Sequence, residues 1–354
     1  MAKSQLVPTD HGIQIEGFVS HNPSFGSIVG ASPSLELLVE RDYPFAHEAG
    51  VFVPDTNDLF VTSNCLQDKK GASYVTITKV SVWGSAHETT CEVIPWTGGY
   101  DDNAGASNSI CMASGGVNWG NDKILFCAQG NKTLPSGLFT MTVTEPYGRE
   151  ALLTGFHGRP FNSVSDAIVA RSDGCIWFTD SSYGYEHGFR PSPSLPDQVY
   201  RFDPREGSVR VVADGFAHPN GLCFSPDESI LYVTDTGKVR GGGTVDARKP
   251  ATIYAFDVVY YSSQPFLTNR RLFAMTESGV PDGIKCDTDG NVYSGCGNGV
   301  NVWSPGGVLL GVIALRGGVT NLCFGRAGEL FMLNENKLWR ARISPRVTGA
   351  QLRL

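Results

Sequence analysis

The chain is 354 residues long, 41% hydrophobic and only 18% charged, with 42 glycines and 20 prolines. Its net charge of −7, without any Lys/Arg run, argues against nucleic acid as a partner, because phosphate contacts need a basic face. No apolar stretch reaches the ~18 residues of a membrane span, and the polar start Met1-Ala2-Lys3-Ser4-Gln5 offers no apolar leader core, so the compartment stays open.

In chain order, residues 1–33 are polar with little pattern and are expected to lie on the surface as an arm. Ser34-Leu35-Glu36-Leu37-Leu38-Val39-Glu40 reads as a strand. One phrase then recurs six times: a polar residue, a short apolar strand, a turn, and a second strand with a bulky centre. The clearest copy runs from Asn220 to Asp235, with Ser225-Pro226-Asp227-Glu228 as the turn of a hairpin. The polar opener lies twelve residues before the bulky residue in Glu48/Phe60, Ser114/Phe126, Ser165/Trp177 and Asn220/Tyr232. The interval is eleven for Asp282/Tyr293 and ten for Asn321/Phe331, where the turn is shorter.

Between the hairpins, Tyr74–Val82 alternates and is expected to be the outer strand of the first unit, followed by a Gly-, Asp- and Asn-rich loop over 84–110. Ser181–Pro191 is an insertion carrying Tyr183, Tyr185, His187, Phe189 and Arg190. Gly241-Gly242-Gly243 is no phosphate loop, since no Lys-Ser/Thr and no helix follow. The nine cysteines form no C-x-x-C pair and show no zinc spacing. Cys127, Cys223, Cys286 and Cys323 fall in strands and read as small buried hydrophobes. Cys65, Cys91 and Cys111 are the disulfide candidates, and Asn131-Lys132-Thr133 is a glycosylation sequon.

Six hairpins at ~40–65 residue spacing predict an all-β, six-bladed β-propeller over 34–354, with about four strands per blade. Ser34–Glu40 is expected to close the ring beside Leu338–Ile343, removing an exposed sheet edge. The opener of each inner strand then faces one channel mouth, gathering Glu48, Ser114, Ser165, Asn220, Asp282 and Asn321. Polar residues also start strands for purely local reasons. A hard divalent cation takes oxygen ligands, and Glu48, Asn220 and Asp282 supply carboxylate, amide and carboxylate from three blades. Ca²⁺ would neutralise the two carboxylates; without it they repel and one titrates upward. His47, Asn162, Tyr183, Tyr185, His187 and His218 lie in or beside predicted mouth loops. With Ser114 and Asn321 they are the candidates for contacting a small-molecule substrate. Arg159 is placed to steady an oxyanion near Ser165.

Several phrases carry a resemblance: Asp42-Tyr43-Pro44-Phe45-Ala46-His47-Glu48-Ala49, Gly158-Arg159-Pro160-Phe161-Asn162-Ser163, Asp173-Gly174-Cys175-Ile176-Trp177-Phe178-Thr179-Asp180, Pro219-Asn220-Gly221 and Pro281-Asp282-Gly283-Ile284. From about residue 33 onward the chain resembles the SMP-30/gluconolactonase family, and fungal lactonohydrolases in particular. The resemblance implies that Glu48, Asn220 and Asp282 hold a divalent metal, with Asp282 also the general base for water attack on a lactone carbonyl. One phrase departs from the family. Asn162-Ser163-Val164-Ser165-Asp166 has Ser165 where the family has an asparagine, which puts Ser165 and Asp166 among the residues in question. Serine offers one hydroxyl in place of an amide. The leading expectation is a metal-assisted lactonase. The alternatives are a cyclase of the hetero-Diels–Alder type, which needs a shaped apolar cavity, and a non-catalytic binding propeller.

Overall fold

A strand with one apolar face needs a partner sheet, and six such sheets arranged radially bury both faces of each. In the computed structural model, which describes residues 16–95, 108–241 and 243–352, the sheets are six blades. Blade one is Glu48–Val53, Asp58–Thr62, Ile77–Ser81 and Thr90–Val93, innermost first. Blade two is Ala113–Trp119, Lys123–Ala128, Gly137–Thr142 and Arg149–Leu153. Blade three is Val164–Val169, Ile176–Asp180, Gln198–Asp203 and Ser208–Ala213. Blade four is Pro219–Phe224, Ile230–Asp235, Thr252–Tyr261 and Gln264–Met275. Blade five starts with Ile284–Cys286, Val292–Cys296, Gly299–Trp303 and Leu309–Ala314, and blade six with Asn321–Phe324, Glu329–Asn334 and Lys337–Arg342. No helix among the described residues is long and apolar enough to cross a membrane.

Ser34–Glu40 completes blade six, with Ser34 opposite Arg342 and Glu40 opposite Lys337. A half-buried ion pair seals this closure: the buried Arg340 donates to Glu36 at 2.6 Å. The bulky residues of the second strands (Phe60, Phe126, Trp177, Tyr232, Tyr293 and Phe331) wedge between blades, and none is more than 2% exposed. Burial of each contributes roughly 1.5–3 kcal/mol.

Three expectations change. The arm is structured over its described part: Gly17–Ser20 adds a fifth strand to blade five, and Phe25 of the following helix Phe25–Val29 is fully buried. Its apolar residues are too few to reveal themselves as a pattern, but they cover the outer edge of Leu309–Ala314. Residues 1–15 of the arm lie outside the described residues. Tyr74–Val82 is not one strand. Ser73–Tyr74 pairs with Leu66–Gln67 in a small ribbon, Ile77–Ser81 is the third strand, and the outermost is Thr90–Val93. It comes from the stretch expected to be loop, whose part over 96–107 lies outside the described residues, as does Gly242. Finally, all nine cysteines are free, so the expected pairing among Cys65, Cys91 and Cys111 does not occur.

Candidate active site

The inner strands bulge where the site forms. In blades one to four the pairing with the second strand slips by one residue, at Ala49/Val51, at Ser114-Gly115, at Ser165-Asp166 and at Asn220-Gly221. A bulge re-aims the side chain beside it, here toward the channel axis. Ala49 pays for this with a left-handed φ of 67°. Two glycines let neighbouring blades close in. A Cβ on Gly283 would lie 2.2 Å from Oδ1 of Asn321, and one on Gly221 would lie 2.5 Å from the carbonyl oxygen of Asp282.

Five of the six openers join in one hydrogen-bonded chain across the channel. Asn321 Nδ2 donates to Glu48 Oε2 at 2.7 Å. The Glu48 and Asp282 carboxyls hydrogen-bond to each other. Asn220 Nδ2 donates to Asp282 Oδ1 at 2.6 Å, and Ser165 Oγ donates to Asn220 Oδ1 at 2.8 Å. Ser114, the sixth, is buried and contributes its carbonyl to Thr62 Oγ1 rather than its hydroxyl to the chain. Burial, then the facing Asp282 charge, pushes the Glu48 carboxyl well above its ordinary range. Burial pushes Asp282 up to about 6, against the opposing pull of His47. One proton held between the two carboxyls relieves their repulsion. No lysine or arginine forms an ion pair with either among the described residues. Nor does any group of three His, Cys, Asp or Glu side chains gather there as a cage. The oxygen set depends on the amide of Asn220.

The mouth above the chain has two walls. On one side His47 Nδ1 meets Glu335 at 2.8 Å, and Asn64 Nδ2 donates to the same carboxylate. Burial alone would lower the His47 imidazole. The Glu335 hydrogen bond and the charges of Glu335, Glu48 and Asp282 carry it up to about 9, so it is cationic at neutral pH. On the other side the insertion forms the short helix Tyr183–Glu186. Tyr183 stacks on His218 with centroids 4.7 Å apart, and its hydroxyl bonds to that of Thr236. Glu186 takes His218 Nε2 at 3.2 Å and the Gly241 N–H at 2.7 Å, latching the insertion to the Gly-rich loop of blade four. Partial burial of its ring, and then the charge of His47, lower the His187 imidazole. Tyr185 is 50% exposed and has no side-chain hydrogen bond or ring contact among the described residues.

Three candidates have other roles. Asn162 is consumed structurally: Nδ2 donates to the Leu195 carbonyl at 2.8 Å, and Oδ1 accepts from the Ser194 and Leu195 amides. Asp166 is buried below the chain, accepting the amides of Ala167 and Leu222. Arg159 is exposed in a ribbon with Gly155–Phe156, which follows the outermost strand of blade two, and so occupies the rim. Replacing Arg159 with alanine is expected to change kcat/KM by less than about twofold, as for an exposed charge; a loss of about tenfold in initial rate would return it to the site.

Glu335, Asn64 and Thr236 are mouth residues absent from the sequence-based set. All three follow second strands. An antiparallel second strand ends at the mouth where the first begins, so a residue one or two positions after Thr62, Asp235 or Asn334 is as well placed as any opener.

A sequence profile described as the SMP-30/gluconolactonase/LRE-like region matches residues 122–334. Lactonohydrolase oryL of Aspergillus oryzae is 30% identical over 365 residues, covering 95% of this chain and 76% of that protein. The gluconolactonase of Zymomonas mobilis is 30% identical over 202 residues, 55% of this chain and 54% of its own. A solved gluconolactonase of Xanthomonas campestris superimposes with a TM-score of 0.69 at 27% identity, over 92% of this chain and 94% of the other.

Proposed function

Because the chain belongs to the SMP-30/gluconolactonase/LRE-like family, we propose that it hydrolyses a lactone at the channel mouth with the help of one divalent cation, Ca²⁺ by preference. The observation that carries this reading is the buried Glu48–Asp282 pair, joined to Asn220 and given no lysine or arginine partner. Two carboxylates and an amide oxygen are hard donors, the set that Ca²⁺ prefers, and their upward-shifted carboxyls mark a place where positive charge would be stabilising. Glu48, Asn220 and Asp282 would hold the ion, which when bound supplies Lewis-acid polarisation of a carbonyl.

The chain's own residues do the rest. Asp282, whose carboxyl stands on the floor of the mouth, would accept the proton of an attacking water. The water oxygen adds to the lactone carbonyl carbon, the ring C–O bond breaks, and the ring oxygen leaves as a hydroxyl by taking the proton that Asp282 accepted from the water. The cationic His47, held by Glu335, faces the developing negative charge. Tyr183 and His218 form a stacked wall against which a small ring can rest. Ser165 donates to Asn220 Oδ1 and so turns Nδ2 toward Asp282; to hold the ion the amide would turn its oxygen to the carboxylates instead. A cyclase would need a largely apolar cavity. The floor of this mouth is a hydrogen-bonded row of carboxyls and amides, which favours hydrolysis.

The test is metal content of protein purified without chelator, with aldonolactone hydrolysis measured before and after EDTA. About one equivalent of Ca²⁺, with activity lost on chelation and restored by the ion, is expected. Bound ion without turnover of any lactone would leave a binding propeller instead. Ser165→Asn is expected to keep turnover within about tenfold, since one net hydrogen bond is worth ~1 kcal/mol. A fall of about a hundredfold would mean that the substrate needs the small side chain.

A further inference from the structure

Below the hydrogen-bonded chain the channel narrows to a chamber of about 60 Å³, lined by inner strands of all six blades and by Gly349, Gln351 and Leu352. Cys223 of blade four, Cys286 of blade five and Cys323 of blade six share that lining. The hydrolysis proposed above uses none of these thiols. Two of them already touch: Cys223 Sγ and Cys286 Sγ lie 3.6 Å apart, and both residues are buried. Register brings them together. Cys223 stands three residues after Asn220 and Cys286 four after Asp282, so the pair lies on the same two inner strands that bring the amide to the carboxyl. Gly221, with no side chain to hold off the Asp282 carbonyl, lets those strands close in above the pair. The chamber is not sealed. It shares Val117, Asn118, Gln351 and Leu352 with a vestibule of about 470 Å³ at the end of the channel opposite the mouth. A space of this size admits a few water-sized molecules, and hydrogen peroxide is little larger than water.

We propose that Cys223 and Cys286 are a modification site, which a peroxide converts to a disulfide that staples blade four to blade five inside the channel. The inference does not depend on the lactonase reading. The hydrogen bond to Cys223, and then burial, hold the Cys286 thiol well above its ordinary range, so Cys223 is the sulfur that attacks first. Its thiolate forms an S–O bond to the peroxide, the O–O bond breaks, and the released hydroxide leaves as water with the Cys223 proton. The Cys286 sulfur then attacks the sulfenic sulfur. The S–S bond forms, the S–O bond breaks, and a second hydroxide leaves as water with the Cys286 proton. Two thiols lose two electrons, and one peroxide becomes two waters. The sulfurs must close to about 2.05 Å, which a side-chain rotation and a small shift of the two strands supply. A resolving thiol in contact captures the sulfenic acid before a second peroxide can reach it.

The test uses the full chain, reduced, freed of reductant and treated with excess hydrogen peroxide. Remaining thiols are alkylated under denaturing conditions and the mass is read. Two of the nine thiols are expected to escape alkylation, and digestion without reductant should release a peptide linked through Cys223 and Cys286. The melting temperature should rise by about 5 °C and fall back with dithiothreitol, because the bond ties positions 63 residues apart in the unfolded chain. Cys223→Ala is expected to abolish both the linked peptide and the rise. Cys65→Ala, at a partly exposed thiol outside the chamber lining, should keep both. Nine alkylated thiols after treatment, linkage through Cys323, or Cys223 carried on to sulfinic acid would each overturn the proposal. So would a linked pair that leaves the melting temperature where it was. The unaltered protein decides all four outcomes, so a variant that fails to fold does not remove the test.

Discussion

Asp282→Asn is expected to lower kcat/KM for lactone hydrolysis by ~10³-fold or more, because one residue supplies both a cation ligand and the proton acceptor. The substitution keeps the shape of the side chain. Its backbone is held independently, with the Asp282 amide donating to the Gly295 carbonyl at 2.9 Å and the Gly283 amide to Thr320 at 2.8 Å. The loss therefore belongs to the chemistry. The cation-free protein should behave in the opposite way. Asp282 and Glu48 face each other, burial holds both carboxyls up, and the Asp282 charge adds to it at Glu48. Removing one acid ends the repulsion, lets Glu48 fall back toward its ordinary range, and should leave the melting temperature unchanged or higher. Initial rates with an aldonolactone and a thermal melt in EDTA check the two halves together. Activity within about tenfold of the unaltered protein would remove Asp282 from the mechanism. Equal losses of activity and stability would make it a structural residue.

Arg190→Met is expected to destabilise the protein by ~3–5 kcal/mol, the largest effect of any single polar substitution considered. Arg190 is only 6% exposed. Its guanidinium donates to the carbonyls of Asn162 and Phe161, both at 2.7 Å, and to those of Asn131 at 2.6 Å and Leu134 at 3.1 Å. These carbonyls belong to the loop after the second strand of blade two and to the entry into blade three, while Arg190 itself ends the insertion. One side chain thus ties three mouth segments, and methionine would leave four carbonyls short of a donor. Nearby Asp180, pushed up to about 7 by burial despite amides from Asn162 and Ser163, would lose a favourable positive charge as well. Urea unfolding with an unchanged m-value would register the loss as stability. A cost under about 1 kcal/mol would mean that water replaces the guanidinium. Because Tyr183 rides on the same insertion, partial loosening should also raise KM more than it lowers kcat.

How much of this was legible beforehand follows from the kind of signal each residue leaves. Glu48, Ser165, Asn220, Asp282 and Asn321 could be gathered because a fixed interval to a bulky strand residue is a statement about register, and register in a blade dictates which residue reaches the channel. Arg159 and Asn162 could not be separated from them by that means. They stand in a connection whose path is decided by what it packs against, and the ribbon Gly155–Pro160 carries one to the rim while Leu195 claims the other. Tyr183, His187 and His218 were suspected as loop residues, but their stacking, and the Glu186 latch beneath it, exists only once two blades are adjacent. Thr90–Val93 hid as loop because an outermost strand buries little and needs little apolar patterning.

The amino-acid sequence by itself determined the ring: six hairpins, their register, the closing strand Ser34–Glu40, and the polar residue that opens each inner strand. These depend on local alternation and turn chemistry, which short stretches carry within themselves. Only the tertiary structure decided which openers touch, that Ser165 turns to Asn220 and Asp282 to Glu48, and that Glu335 holds His47. Those facts belong to residues as many as 288 positions apart. Charges meeting across a channel are set by the geometry of closure, and no single blade contains it.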